Sequence, residues 1–355
     1  MRAARYYDRK DIRIEDVEAP ELKPGHVAID VAWCGICGTD LHEYLEGPIF
    51  IPPAGHPHPI SGESAPVTMG HEFSGTVTAV ADDINDLEPG QNVVVEPYII
   101  SDDVPSDNPE VNYQLSPNMN FIGLGGRGGG LSEKVVVERR WVHPIASHVG
   151  LDQAALIEPL AVGHHAFVQS RAKAGDVAIV GGAGPIGLLT AAVLKAEGLT
   201  VYISELSEAR KAKARETGVA DQVFDPREVD VADEVRRLTD GAGADVGFEC
   251  SSAEPVLDML IDAVRPAGVI VNVSIWGHKP TVDLPNLVLK ELQLVGTIGY
   301  AHDHPRVIEL VEQGKINLEP FITGRIGLDA LVSEGFDELI NNTEHHVKIL
   351  VDPRA

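Results

Sequence analysis

The chain has 355 residues, 54 acidic against 28 basic, and a formal charge of −26. That length suits two domains, each with its own core, and 44% apolar residues exclude a disordered chain. The negative charge repels phosphates and anionic lipid, which excludes a nucleic-acid surface and membrane docking.

The N-terminal stretch MRAARYYDRKDIRIED has no apolar leader core, so a cytoplasmic protein is expected. Residues 1–155 then read as a β-rich domain. Its strand-like runs HVAIDVAWCG, FSGTVTAV, QNVVVEPYII and LSEKVVVE are separated by Pro/Gly-rich turns. Inside it, CGICGTDLHE covers 34–43 and GHEFSG covers 70–75. The thiolate of Cys37 and the imidazole of His71, joined by a carboxylate, suit Zn²⁺ with one open position. Glu158 in IEPLAV, where the domains join, is one candidate carboxylate; Glu72, beside His71, is the other, as ligand or supporting group. Cys34 and Cys37 also form a C-x-x-C, which leaves a redox pair or half a structural zinc site open. Thr39 and His42 follow Cys37 closely enough to carry a proton from a reacting alcohol to solvent. His56 and His58 lie in a Pro/Gly-rich loop and are expected to be solvated. The glycine run GLGGRGGGLSE, 123–133, reads as a turn where strands approach closely. His164 and His165, on an expected helix after Glu158, read as packing residues.

Residues 156–298 alternate short apolar runs with helical segments. The runs DVAIVGG, TVYISE, DQVFD, ADVGFEC, GVIVNVS and LQLVGTI give six strands of a doubly wound parallel sheet covered by helices. An uncharged stretch at 177–194 approaches membrane-spanning length, but its glycines and proline read as strand, turn and helix instead. Gly182, Gly184, Pro185, Ile186 and Gly187 belong to a G-x-G-x-x-G that follows a strand and opens a helix, the setting of a pyrophosphate cradle. Glu205 ends the next strand, where a carboxylate receives the ribose hydroxyls and repels a 2′-phosphate, so NAD is expected over NADP. Arg210 is placed to stack on adenine or soften that preference. Cys250 ends a further strand and is expected to be buried. The segment 299–355 finishes in HHVKILVD and is expected to return to the first domain.

These motifs, with APVTMGHEFSG, NVSIWG, GTIGY and GFDELI, resemble the zinc-dependent medium-chain dehydrogenases over essentially the whole chain. Within that family the pattern is most similar to the 2,3-butanediol dehydrogenase branch; a sorbitol-type polyol dehydrogenase is the alternative. The resemblance implies a GroES-like catalytic domain beside the Rossmann sheet. It implies Cys37, His71 and Glu158, with Glu72 as the other candidate, as catalytic zinc ligands, and Thr39 and His42 as the proton relay. It adds Val273, Ser274, Ile275, Ile298, Gly299 and Tyr300 as segments beside the nicotinamide. A vicinal diol or hydroxyketone substrate and a homodimer or homotetramer are implied as well. Many relatives carry four cysteines for a second, structural zinc; between Glu96 and Gly130 this chain has none, so one zinc per subunit is expected.

Overall fold

The computed structural model describes residues 1–355. Charged residues alternate with apolar ones near the start, and the chain pairs them as a hairpin, β1 (Arg2–Asp8) with β2 (Asp11–Asp16), extended by the short strand Val67–Thr68. Then follow β3 (His26–Gly35), α1 (Gly38–Glu46), β4 (Val67–Thr68), β5 (Glu72–Val80), β6 (Asn92–Val95), β7 (Tyr98–Ile99), β8 (Asn120–Phe121), β9 (Lys134–Glu138) and β10 (Val142–Pro144). A short α2 (Leu151–Ala154) precedes α3 (Ile157–Ser170). The alternation of HVAIDVAWCG becomes β3, which pairs antiparallel with β5 and β9 and buries every second side chain over most of its length.

The second half is built from β11 (Val177–Gly181), α4 (Pro185–Ala196), β12 (Thr200–Ser204), α5 (Glu208–Glu216), β13 (Gln222–Phe224), α6 (Val231–Leu238), β14 (Ala244–Glu249), α7 (Glu254–Ala263), β15 (Val264–Asn272), α8 (Leu284–Leu289) and β16 (Gln293–Gly296). All six strands are parallel, in the order β13-β12-β11-β14-β15-β16, which is the doubly wound arrangement with its switch point beside β11. Ile179 and Ile270 of the sheet pack on Val235 of α6 and on Leu257, Leu260 and Ile261 of α7. Asp230 caps α6 by accepting the Asp233 N–H at 2.9 Å.

Last come α9 (His304–Glu312), β17 (Ile322–Gly327), α10 (Asp337–Asn341) and β18 (Lys348–Asp352). Strand β18, the expected HHVKILVD run, pairs antiparallel with β3 and parallel with β17 in the sheet order β10-β6-β5-β3-β18-β17. Two compact units result: Met1–Glu158 with His304–Glu312 and Ile322–Ala355, and Pro159–Asp303 with Gln313–Phe321. The C-terminal segment is thus shared, and does not return whole to the first unit. No helix is long and apolar enough to cross a membrane.

Candidate active site

In the first unit, β3 ends at Gly35 and Cys37 stands at the N-cap of α1, its N–H donating to Asp40 Oδ2 at 2.9 Å. The Cys37 Sγ lies 3.8 Å from Thr39 Oγ1. His71 and Glu72, where β5 begins, bring their donor atoms within 4.8 Å of each other and of the Cys37 sulfur. His71 is held there by the glycine run. The amides of Gly130 and Leu131 donate to Gly70 and Met69 carbonyls at 2.8 and 2.9 Å. A Cβ on Gly123 would fall 2.0 Å from the Gly70 oxygen, and one on Gly129 2.3 Å from that of Met69, so the close approach expected of this run is real.

The electrostatics fit a cation. The Nδ1 of buried His71 and the Oδ1 of buried Asp40 have no hydrogen-bond partner and stand 3.5 Å apart. Burial works against a charged His71, yet Asp40 and Cys37 outweigh it and hold the imidazole well above its ordinary pKa. A thiolate, an imidazole and a carboxylate around surplus negative charge form a zinc donor set.

Of the two candidate carboxylates, Glu72 is in the cluster and Glu158, buried at the start of α3, is outside that 4.8 Å group. Glu72 is engaged by a residue that sequence reasoning missed. The ammonium of buried Lys348, on β18, donates to both Glu72 oxygens at 2.7 Å and to the Ile36 carbonyl at 3.2 Å. Burial works to discharge Lys348, but Glu72 and Cys37, with a further contribution from Glu158, keep its pKa raised. Cys34 is buried in β3, and that burial pushes its thiol far above the ordinary value. It is a neutral core side chain, which removes the redox reading of C-x-x-C. His42 is exposed, one helical turn beyond Thr39.

Glu43, also missed, sits buried on α1 and gathers the loop that follows. Its carboxylate accepts the amides of Ile49 at 2.9 Å, Ile51 at 3.2 Å and Phe50. His58 corrects the expectation of a solvated loop histidine: it is buried, and its Nδ1 accepts the amides of Ile60 and Ser61, both at 3.3 Å.

In the second unit, the three motif glycines have three different surroundings. Gly182 has φ +99°, Gly184 has nothing within 4 Å of where a Cβ would stand, and a Cβ on Gly187 would be 2.1 Å from the Gly182 oxygen. A tight turn, open space for a ligand and close packing of helix on strand are the three jobs of a dinucleotide-binding loop. Gly184 caps α4, with Pro185 and Ile186 half-buried in its first turn. Glu205 reaches back to that loop: Oε2 accepts the Ala183 amide at 2.7 Å, and Oε1 those of Leu206 and Ser207 at 2.8 Å. Arg210, on α5, keeps a buried Nε without a partner. Ile275 and Ile298 are exposed, Gly299 is half-buried and Tyr300 is completely buried. The segment of Val273 and Ser274 is fixed by buried Glu249, whose carbonyl accepts both amides at 2.9 and 3.2 Å and whose carboxylate accepts the Ser274 hydroxyl. His164 and His165 are buried on Asp303, at 2.5 and 2.9 Å, as packing residues.

Residues 23–147 match the alcohol dehydrogenase GroES-like domain and 185–313 the zinc-binding dehydrogenase domain. The chain is 67% identical to the (R,R)-butanediol dehydrogenase of Neisseria gonorrhoeae, over 99% of both chains. It belongs to the zinc-dependent medium-chain dehydrogenases, in their butanediol dehydrogenase branch. This dehydrogenase is also 44% identical to the (R,R)-butanediol dehydrogenase of Bacillus subtilis, over 99% of this chain and all of that one. The crystal structure of the 2R,3R-butanediol dehydrogenase from Bacillus subtilis superposes with a TM-score of 0.93, covering 99% of each chain.

Proposed function

We propose that this dehydrogenase interconverts 2,3-butanediol and acetoin with NAD(H), that it prefers the R,R diol, and that it also reduces diacetyl. What supports the reading is the approach of Cys37 and His71 to one another, with Thr39 beside Cys37, in a chain 67% identical to an (R,R)-butanediol dehydrogenase. Sorbitol-type specificity has less support, because that relative and the Bacillus subtilis one both carry the butanediol name.

Cys37, His71 and Glu158 would hold the zinc. Glu158 is preferred because both Glu72 oxygens are committed to Lys348, and using Glu72 means breaking a buried ion pair. Zinc there supplies Lewis acidity that lowers the pKa of an alcohol bound beside it. The Thr39 hydroxyl takes the substrate proton and hands it to His42, whose exposure lets it release the proton to water. Glu72 stays paired and offers its remaining lone pairs to the second hydroxyl of a vicinal diol. Gly184 leaves room for the pyrophosphate against the α4 N-terminus, and Glu205 presents its remaining lone pairs to the adenosine ribose. NAD supplies the hydride acceptor.

A homodimer or homotetramer in the cytoplasm completes the proposal. Edge strand β16 and α8 together expose Leu284, Val288, Leu289 and Leu294, a grouping that an isolated subunit would leave in water. The test is NADH formation by zinc-replete protein on each 2,3-butanediol stereoisomer, with sorbitol alongside. Turnover of the R,R diol with little on sorbitol is expected. Turnover of sorbitol alone would overturn the substrate assignment.

A further inference from the structure

Away from Cys37, a second group of metal-ligating side chains is assembled inside the first unit. Glu96 follows β6, His143 is the middle residue of β10 and pairs with Val94, and His304 opens α9. Glu96 and His304 are buried, while the His143 side chain keeps 20% of its surface exposed. One oxygen of Glu96, Oε1, accepts the Tyr113 hydroxyl at 2.5 Å. The other, Oε2, faces both imidazoles, at 2.9 Å from His143 Nε2 and 3.6 Å from His304 Nδ1. The two rings are stacked, 5.1 Å apart and 16° from parallel.

Asp303 shows how this protein builds a hydrogen-bonded pair of histidines: each carboxylate oxygen serves one ring. Glu96 is arranged differently. A phenol fixes one oxygen, and the other is aimed at the point that the two imidazoles share. A tetrahedral zinc with ligands at about 2.0–2.2 Å sets its donor atoms roughly 3.3–3.5 Å apart; the separations of 2.9 and 3.6 Å straddle that value, and all three donors lie within 4.8 Å of one another.

We propose that Glu96, His143 and His304 form a second divalent-cation site, of the zinc type, distinct from the Cys37 site. Two imidazoles and one carboxylate favour Zn²⁺ or Co²⁺ over Mg²⁺ and Ca²⁺, which take oxygen ligands. Tyr113 is the positioning residue, since it orients the ligating carboxylate. The exposed edge of His143 is the entry side, and water fills the fourth position. Such an ion ties β6, β10 and α9 together and stabilises the folded chain by mass action. The expectation of a single zinc came from missing cysteines, and this site needs none.

The test is zinc per chain after reconstitution with Zn²⁺ and dialysis, for the full-length protein and three variants. Two ions are expected in the native chain, one in Cys37→Ala, one in His143→Asn, and none in the double variant. His143→Asn alters a partly exposed position, and circular dichroism checks its fold. The Cys37→Ala protein should also show a zinc-dependent rise in Tm that His143→Asn abolishes in that background. Fewer than two ions in the native chain overturns the proposal, and so do two ions that persist in His143→Asn.

Discussion

Lys348 Nζ stands 2.7 Å from each carboxylate oxygen of Glu72, and both side chains are buried. Removing the lysine leaves a charge with neither water nor a partner, which costs about 3–5 kcal/mol. Lys348→Met should therefore lose that much stability in urea titrations. Lys348→Met combined with Glu72→Gln should recover part of it, because the second change removes the stranded charge. Equal or greater loss in the double variant would mean that the pair is not the source.

Gly187 and Gly184 should fail in different ways when changed to alanine. At Gly187 the new methyl meets the Gly182 oxygen at 2.1 Å, so Gly187→Ala should lower stability by about 1–3 kcal/mol through overpacking. At Gly184 nothing lies within 4 Å. Gly184→Ala should keep the native Tm and weaken NAD binding, read by calorimetry.

Glu205 steadies the glycine loop by accepting the Ala183 amide, and the proposed function also gives it the adenosine ribose. A charged hydrogen bond is worth about 1.5–3 kcal/mol, so Glu205→Ala should lower kcat/KM for NAD roughly 10- to 150-fold. NADP should lose far less, because the 2′-phosphate no longer meets a carboxylate. Steady-state kinetics with both cofactors decides it.

Asp303 gives the stability curve an acid limb. Burial would raise its carboxyl, but His164 and His165 outweigh burial and hold it below the ordinary value. The unfolded chain then binds the proton first, so this stability is present above about pH 4 and is lost as pH falls toward the folded-state pKa. Asp303→Asn should be less stable at neutral pH and show a shallower loss as pH falls below about 4. Denaturant midpoints across that range measure both.

Leu289 is 81% exposed and Val288 68%. If α8 and β16 meet a second copy, Leu289→Glu should shift sedimentation toward a smaller species without altering far-UV circular dichroism. An unchanged sedimentation coefficient would place the subunit contact elsewhere.

Much of this was legible in the sequence because it is local. The run DVAIVGG and the glycines after it lie within a dozen residues, and periodicity alone marks the strand, the turn and the helix. Cys37, Thr39 and His42 share one short segment for the same reason. Lys348 was not legible. Nothing in the run HHVKILVD singles it out, and its partner Glu72 is 276 residues away in the chain. Glu43 and Glu249 look like ordinary acidic residues until the amides they collect are seen. Glu96, His143 and His304 are far apart in the chain, and no spacing rule connects them. His58 was misread because a Pro/Gly-rich loop is taken as exposed, whereas this loop is folded upon its own imidazole.

The pairing of β18 also sets an order of events during synthesis. Lys348 lies 276 residues after Glu72, so the carboxylate, with Cys37 and His71, leaves the ribosome long before its counter-charge exists. Until β18 docks on β3, Glu72 cannot be enclosed without stranding its charge, and the end of β5 that carries it must stay wet. The N-terminal unit therefore cannot mature as an early, independent folding step. The Cys37, His71 and Glu72 group closes only after the whole six-stranded parallel sheet has been translated.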